Sequence, residues 1–269
     1  MERYERTRLL VLCKTYPSPS AGYVETSCVA AMTEGGQLIR LYPVPFRLLE
    51  ADAQFKKWQW IDVDIARTGV DHRPESRRIR ADTITCIGEP LSTRQDWAAR
   101  RPFIDSLRKF PSFEALEQAR QIEGVTLGLL VRQEIVSLEL TRARQQEWSS
   151  KELAKLSPAQ GNLFSEPDRQ AFRRLEKLAY DFHYRYRPQG EPGATVQRHK
   201  IVDWEAGALY RNVVSRSSGG WEAAFKAKYE RELPRKDLML LMGTIHRFPD
   251  QWLIVSVITP PHERNLRLL

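Results

Sequence analysis

The run His199-Lys200-Ile201-Val202-Asp203-Trp204-Glu205 gathers proton-moving groups into one short stretch. On a helix, His199 and Asp203 share a face four residues apart; on an extended chain, Asp203 and Glu205 share one. Either way a carboxylate stands beside an imidazole or a second carboxylate, next to an indole that can desolvate it. Such a carboxylate acts as a base or stabilises a developing cation. The same residues also read as a plain helix start, with acids in the first turn and Trp204 in the core. A second candidate is Lys14–Glu25, a polar loop leaving the first strand, whose Tyr16, Tyr23 and Glu25 either line a pocket at the strand ends or stay solvated.

Other groups suit a polyanion. Arg40, Tyr42, Arg47, Lys56, Lys57, Trp58 and Trp60 alternate cations with aromatic rings, so that guanidinium and ammonium groups meet phosphates while rings stack on bases. Trp58, flanked by Lys57 and Gln59, is the better stacking candidate, because Trp60 leads into an apolar strand. Asp71–Arg78 carries Arg73, Arg77 and Arg78, which either clamp phosphates or pair with the acids around them. Asp181–Arg187 has period two: Phe182, Tyr184 and Tyr186 read as core, and His183, Arg185 and Arg187 form a basic face. His246-Arg247-Phe248-Pro249 is a hairpin tip that could wedge into a duplex or simply pack as a turn.

Of 42 basic residues 31 are Arg, and the formal charge is +8, which favours a phosphate-rich partner without fixing one. Cys13, Cys28 and Cys86 have neither disulfide nor zinc spacing, which argues against a disulfide framework and a structural zinc site. The phosphate loop, dinucleotide fingerprint, serine elbow and zinc-protease signatures are all missing, which removes local support for those chemistries. No apolar run nears the roughly 20 residues needed to cross a bilayer, and the N-terminus does not read as a secretory signal. The expected compartment is the cytoplasm, with no membrane association and no protein partner implied.

The elements that would position these groups suggest an α+β chain of two domains. Arg8–Lys14, Cys28–Thr33, Leu38–Tyr42, Ile61–Ala66 and Thr83–Ile87 read as strands of a small barrel, with Glu34-Gly35-Gly36 turning the second into the third. Residues 93–122 have helical spacing broken by Pro102 and Pro111, and Gly124–Thr141 alternates and is expected to rejoin that sheet. This gives a β-barrel-like domain over 1–141 with a helical insertion, a linker over 142–168, and an α+β domain over 169–269. Within the last, the spacing predicts helices over Arg169–Ala179, Val196–Asn212 and Trp221–Leu233, the strand Asp181–Arg187, and a closing hairpin from Asp237 to Ile258.

Cys28–Arg47 followed by Gln54–Ile61 resembles an OB-like or PUA-like barrel segment of bacterial nucleic-acid-associated proteins. His199–Asn212 and Lys236–Val255 resemble the same group, which is taken to include the antiphage DNA glycosylases that remove a modified base such as glucosylated hydroxymethylcytosine. Together these segments cover about a third of the chain. The stretch before His199, PQGEPGATVQR, lacks the cysteines of related sequences, which argues against a metal knuckle there. The resemblance implies excision of a modified base from phage DNA, for which a monofunctional enzyme needs no metal and no cofactor. Asp203 would stabilise the oxocarbenium-like state or activate water, with Glu205 or Glu25 as rivals and His199 orienting water or the leaving base. Trp204, Tyr16 and Tyr23 would hold the extruded base, and Lys200 is the nearest amine for a lyase step. Two other functions fit the same residues: a metal-dependent nuclease using Asp203, Glu205 and a histidine, and a non-enzymatic reader of modified bases.

Overall fold

The structure is a computed structural model that describes residues 3–67, 69–156, 175–216 and 219–262. Its first part holds the strands β1 (Glu5–Lys14), β2 (Ser18–Ser20), β3 (Val24–Met32), β4 (Leu38–Val44), β5 (Trp60–Ala66), β6 (Ser76–Ile79) and β7 (Thr85–Ile87). Because β1 pairs with both β3 and β5, the five strands β1-β3-β4-β6-β5 close into a barrel, antiparallel except where β4 meets β6. Closure removes the free edges that an open sheet of this size would expose. Leu9, Val11, Val29, Leu41, Ile61 and Val63 fill the interior. Gly36, at φ +79°, makes the turn between β3 and β4 that the glycine pair suggested. Strand β6, which begins within the charged stretch Asp71–Arg78 and ends at Ile79, was not among the expected strands, whereas the expected Thr83–Ile87 gives β7, which pairs with β5 outside the closed ring.

The second part is a mixed seven-stranded sheet in the order β10-β11-β12-β14-β13-β9-β8. Its strands are β8 (Lys109–Phe110), β9 (Leu127–Leu130), β10 (Gln133–Arg142), β11 (Tyr180–Pro188), β12 (Gln197–Ile201), β13 (Met239–Ile245) and β14 (Phe248–Ile258). The helices are α1 (Arg101–Ser106), α2 (Phe113–Glu123), α3 (Ser150–Lys155), α4 (Trp204–Arg216) and α5 (Trp221–Lys226), the last running on through a π-helical turn over Ala227–Glu232. Leu116 of α2, Tyr210 of α4 and Phe225 of α5 cover one face of the sheet, together with the buried Phe182, Tyr184 and Tyr186 of β11.

Two expectations change here. Gly124–Thr141 does not rejoin the barrel: β9 pairs with β13 and β10 with β11, so the change of sheet falls between Ile87, the end of β7, and Lys109, the start of β8. Period-two alternation marks a half-buried strand and carries no information about which sheet it enters. Val196–Asn212 is not one helix either, because Gln197–Ile201 pairs with β11 and helix begins only at Trp204. Much of the stretch read as a linker, and the start of the helix placed over Arg169–Ala179, lie outside the described residues. Leu175–Leu178 is not helical.

Strand β1 is buried on both faces. Leu9 and Val11 face the barrel core, whereas Leu10, Leu12 and Cys13 pack with Leu127, Leu129, Leu241 and Val255 of the second sheet. That explains why Leu9–Cys13 is an unbroken apolar run instead of an alternating one.

Candidate active site at the junction of barrel and sheet

The last residues of β1 meet the start of α4. Thr15 forms a bridge with Asp203, and Tyr16 N–H donates to Val202 O at 2.9 Å. Asp203 caps α4, with Oδ1 accepting from Glu205 N–H at 3.1 Å and its carbonyl accepting from Gly207 N–H. Its Oδ2 accepts from Ser256 Oγ at 2.9 Å and from Val257 N–H at 3.3 Å, both on β14. The carboxylate is 2% exposed. The helix-start reading of Asp203 therefore holds as geometry, but the second oxygen is aimed at something else.

That second oxygen lies 3.9 Å from Lys57 Nζ, which also donates to Glu205 Oε2 at 2.9 Å and to Ser256 Oγ at 3.0 Å. Lys57 precedes Trp58, whose left-handed φ of +65° is rare for a bulky residue and is held by Trp58 N–H donating to Val11 O at 2.7 Å. Burial pushes the Asp203 carboxyl above its ordinary range, and Lys57 only partly offsets this. Burial acts against the Lys57 ammonium too, but Asp203 and Glu205 together outweigh it, so its pKa ends above the usual value and the side chain stays charged. Around this pair is a niche of about 30 Å³, lined by Val11, Cys13, Lys14, Lys57, Asp203, Trp204 and Glu205. It has room for a single small molecule such as water.

Trp204 also lines a larger cavity of about 300 Å³. Tyr16, Phe46 and Trp204 give it aromatic walls, with ring centroids 6.1 Å apart for Tyr16–Trp204 and 5.6 Å for Phe46–Trp204; Arg47, Gln54 and Arg211 add polar groups. Gly207 is required here, since a Cβ at that position would stand 2.4 Å from Tyr16 Cδ2. Tyr16 is further fixed by its hydroxyl, which donates to Glu176 O at 2.7 Å. Apolar walls with a few convergent polar groups, beside a perturbed carboxylate, are the usual marks of a small-molecule site.

Asp203, Glu205, Trp204 and Tyr16 thus come together as the sequence suggested, and Lys57 joins them as the partner of two carboxylates, not as a free phosphate contact. Arg47 lines the cavity and lies 3.2 Å from Glu25, a buried acid whose pKa is raised by burial and partly lowered by Arg47. Tyr23 is half-buried and is not among the cavity walls. Lys56, Tyr42, Arg185, His246 and Arg247 are exposed, although Arg185 lies 3.8 Å from Glu139 and Arg187 pairs with Glu134 at 3.1 Å. Those acidic neighbours blunt the basic face read from β11.

Three assignments are corrected by burial. Trp58 is 1% exposed and packs edge-on against Trp97, with Arg100 over its ring, so it cannot stack on a base. Arg40 is buried and donates to Thr126 O at 2.7 Å, and the buried Arg73 donates to Thr244 O at 2.7 Å while gripping Asp71; both tie the barrel to the sheet. A desolvated guanidinium must be paired, and these find their partners inside the protein.

His199 is the fourth correction. It sits on β12, its Nδ1 2.9 Å from the Tyr186 hydroxyl and its ring against Phe113, in surroundings separate from the Asp203 cluster. Burial lowers its pKa to about 4, helped by His183. An imidazole held neutral in the folded chain but titrating near 6.5 when unfolded makes stability fall as pH drops from about 6.5 to about 4. The expected loss is on the order of 2 kcal/mol, with His183 adding in the same direction. Urea unfolding of His199→Asn at pH 7 and pH 4.5 should show a shallower loss than the parent chain; equal slopes would rule out His199 as the source.

Sequence reading gave no role to Lys14, Phe46, Ser256 and Arg211, which come from four separate stretches of the chain. Nor did it bring together Asp71, His72 and His246, which it had placed in two separate loops; their ligand atoms lie within 4.8 Å of one another, the one such metal-compatible group among the described residues. Arg73 already holds both Asp71 oxygens, at 2.6–3.2 Å, and His246 Nδ1 lies 3.2 Å from Oδ1. This group is best described as a latch between a barrel loop and the β13–β14 turn.

The molecule is thus a closed five-stranded barrel docked on a mixed α/β sheet, with a carboxylate–lysine cluster where the two meet. A family model described as a domain of unknown function, DUF8757, matches residues 109–269, well over half of the chain, and the chain belongs to that family. A second model, DUF8758, also a domain of unknown function, matches residues 5–106. The break between the two matches coincides with the change from barrel to sheet. No curated protein matches the chain. No helix among the described residues is long and apolar enough to cross a membrane.

Proposed function

We propose that this protein excises a modified base from DNA by hydrolysing its N-glycosidic bond, in defence against phage whose cytosines carry a bulky substituent. The observation that carries the reading is Trp204 as a common wall. It lines both a cavity with aromatic faces and a water-sized niche with a buried carboxylate. An extruded base stacks on Trp204, Tyr16 or Phe46, and Arg47, Gln54 and Arg211 meet its polar substituents. The sugar then spans the rim between cavity and niche. Asp203 accepts the proton of a water in the niche, and the negative charge of Asp203 and Glu205 stabilises the oxocarbenium-like sugar. Lys57 fixes both carboxylates, and the cations Arg47 and Arg211 of the cavity wall face the charge that builds on the departing base.

A metal-dependent nuclease built on Asp203, Glu205 and a histidine has less support, because His199 packs against Tyr186 and Phe113 and His246 against Asp71. The test is incubation with EDTA and three duplexes: unmodified, hydroxymethylated and glucosyl-hydroxymethylated at cytosine. Free modified base by mass spectrometry, with strands that break only in alkali, is the expected result. Tight binding of intact modified DNA would replace the enzyme with a reader, and magnesium-dependent cuts without alkali would replace it with a nuclease.

A further inference from the structure

Two lysines reach the niche, and their surroundings are opposite. Lys57 Nζ is held by Glu205 Oε2, by Ser256 Oγ and, at longer range, by Asp203. Lys14, the last residue of β1, places Nζ 4.0 Å from the ring centre of Phe46 and 5.0 Å from that of Trp204. Among the described residues its amine makes no hydrogen bond and no ion pair, and Glu205 and Asp203 act on it only from beyond contact distance. It nevertheless lines the niche with both carboxylates. Two like groups whose surroundings push them apart are how a site divides its roles.

We propose that Lys14 is an amine nucleophile that condenses with the aldehyde carbon of an abasic deoxyribose, giving the protein a strand-cleaving lyase activity in addition to base removal. The inference rests on the excision reading for the origin of the abasic sugar, but its chemistry needs only that sugar. Lys14 Nζ attacks C1′ of the ring-opened sugar, and the carbinolamine loses water to form an iminium. Glu205, whose carboxylate is half-exposed at the niche, takes the C2′ proton. The C3′–O bond then breaks, and the 3′ phosphate leaves with the electron pair. Water hydrolyses the imine and returns the amine, so no oxidant or reductant is consumed.

Geometry favours Lys14 over the other candidates. Lys57 is committed to two carboxylates, and Lys200 of β12, nearest in sequence to Asp203, pairs with Asp181 of β11 at 2.6 Å. Burial lowers the Lys14 pKa, with Glu205 and Asp203 only partly restoring it, so more of the amine is free to attack near neutral pH than for an exposed lysine. The rings of Phe46 and Trp204 stabilise the cation when it is protonated and bound the space in which the sugar must sit.

The test uses the full chain and a duplex in which uracil has first been removed by a separate enzyme, leaving one abasic site, in the presence of sodium borohydride. Reduction of the imine fixes the protein to the DNA, and peptide mass spectrometry locates the attached residue. The expected result is a covalent complex mapping to Lys14, reduced at least tenfold in Lys14→Arg, which keeps the charge and the ring contacts. Absence of a complex, or attachment centred on another lysine of the parent chain, overturns the proposal whether or not the variant folds. Base release from modified DNA is measured in parallel. Released base without trapping leaves excision standing and removes the lyase; trapping without released base does the reverse.

Discussion

Asp203→Asn is expected to reduce base release by about 10²- to 10⁴-fold while leaving affinity for the modified duplex within a few fold, since a positioned general base contributes that much to rate. Asparagine caps helices as well as aspartate does, so α4 keeps its start. One amide proton then faces a donor, either Glu205 N–H or the Ser256–Val257 pair, at a cost of about 1–2 kcal/mol. Chemistry and folding are therefore separable in this variant. The pH profile adds a second readout. Because burial raises the Asp203 carboxyl above the ordinary aspartate range, the acidic limb of the parent enzyme should have its midpoint above 3.8. Glu205→Gln removes a half-exposed carboxylate and should act more mildly. Full turnover in Asp203→Asn would reduce Asp203 to a helix cap and remove the excision reading with it.

The residues that sequence could supply are those that lie close together along the chain. Asp203, Trp204 and Glu205 are contiguous, and acids at a helix start beside an indole announce themselves without a fold. Four of the five barrel strands were equally legible, because apolar runs between turn residues state their own length, and the Gly36 turn fixed one hairpin; β6 was hidden in a charged stretch, and Thr85–Ile87, read as the fifth strand, only flanks β5 outside the closed ring. The cavity was not legible. Phe46 and Arg47 come from a short turn after β4, Gln54 from the stretch beyond it, and Arg211 from the far side of α4. Only the closed barrel and its docking on β14 bring them together. The errors have one physical source: Trp58, Arg40 and Arg73 were read by residue type as surface groups, yet docking buries all three. A cation in sequence has no sign saying whether phosphate or a carbonyl such as Thr126 O will be its partner. His199 failed for a related reason, since spacing of four residues means proximity only on a helix, and β12 is extended.

The largest effect on stability is expected from Lys57→Met. The methylene stem is replaced by a side chain of similar reach, but Asp203 loses the cation 3.9 Å from Oδ2 and Ser256 loses a donor. Removing one partner of a buried ion pair costs about 3–5 kcal/mol because the remaining charge is left uncompensated. Ser256 Oγ and the Val257 and Glu205 amides still donate to the carboxylate, which places the expectation toward the lower end. The loss must also depend on pH. An acid whose folded pKa lies above its unfolded value binds more protons when folded between those two pKa values, so stability falls as pH rises through that window. Without Lys57 the Asp203 pKa rises further and the window widens upward, so Lys57→Met should be nearer to the parent protein at pH 5 than at pH 8. Denaturant unfolding at both pH values measures this. Pairing the change with Asp203→Asn removes the orphaned charge, and the double variant should recover most of the stability while remaining inactive. A double variant as unstable as Lys57→Met alone would show that the methionine damages packing, and that the ion pair is not what holds the junction of barrel and sheet.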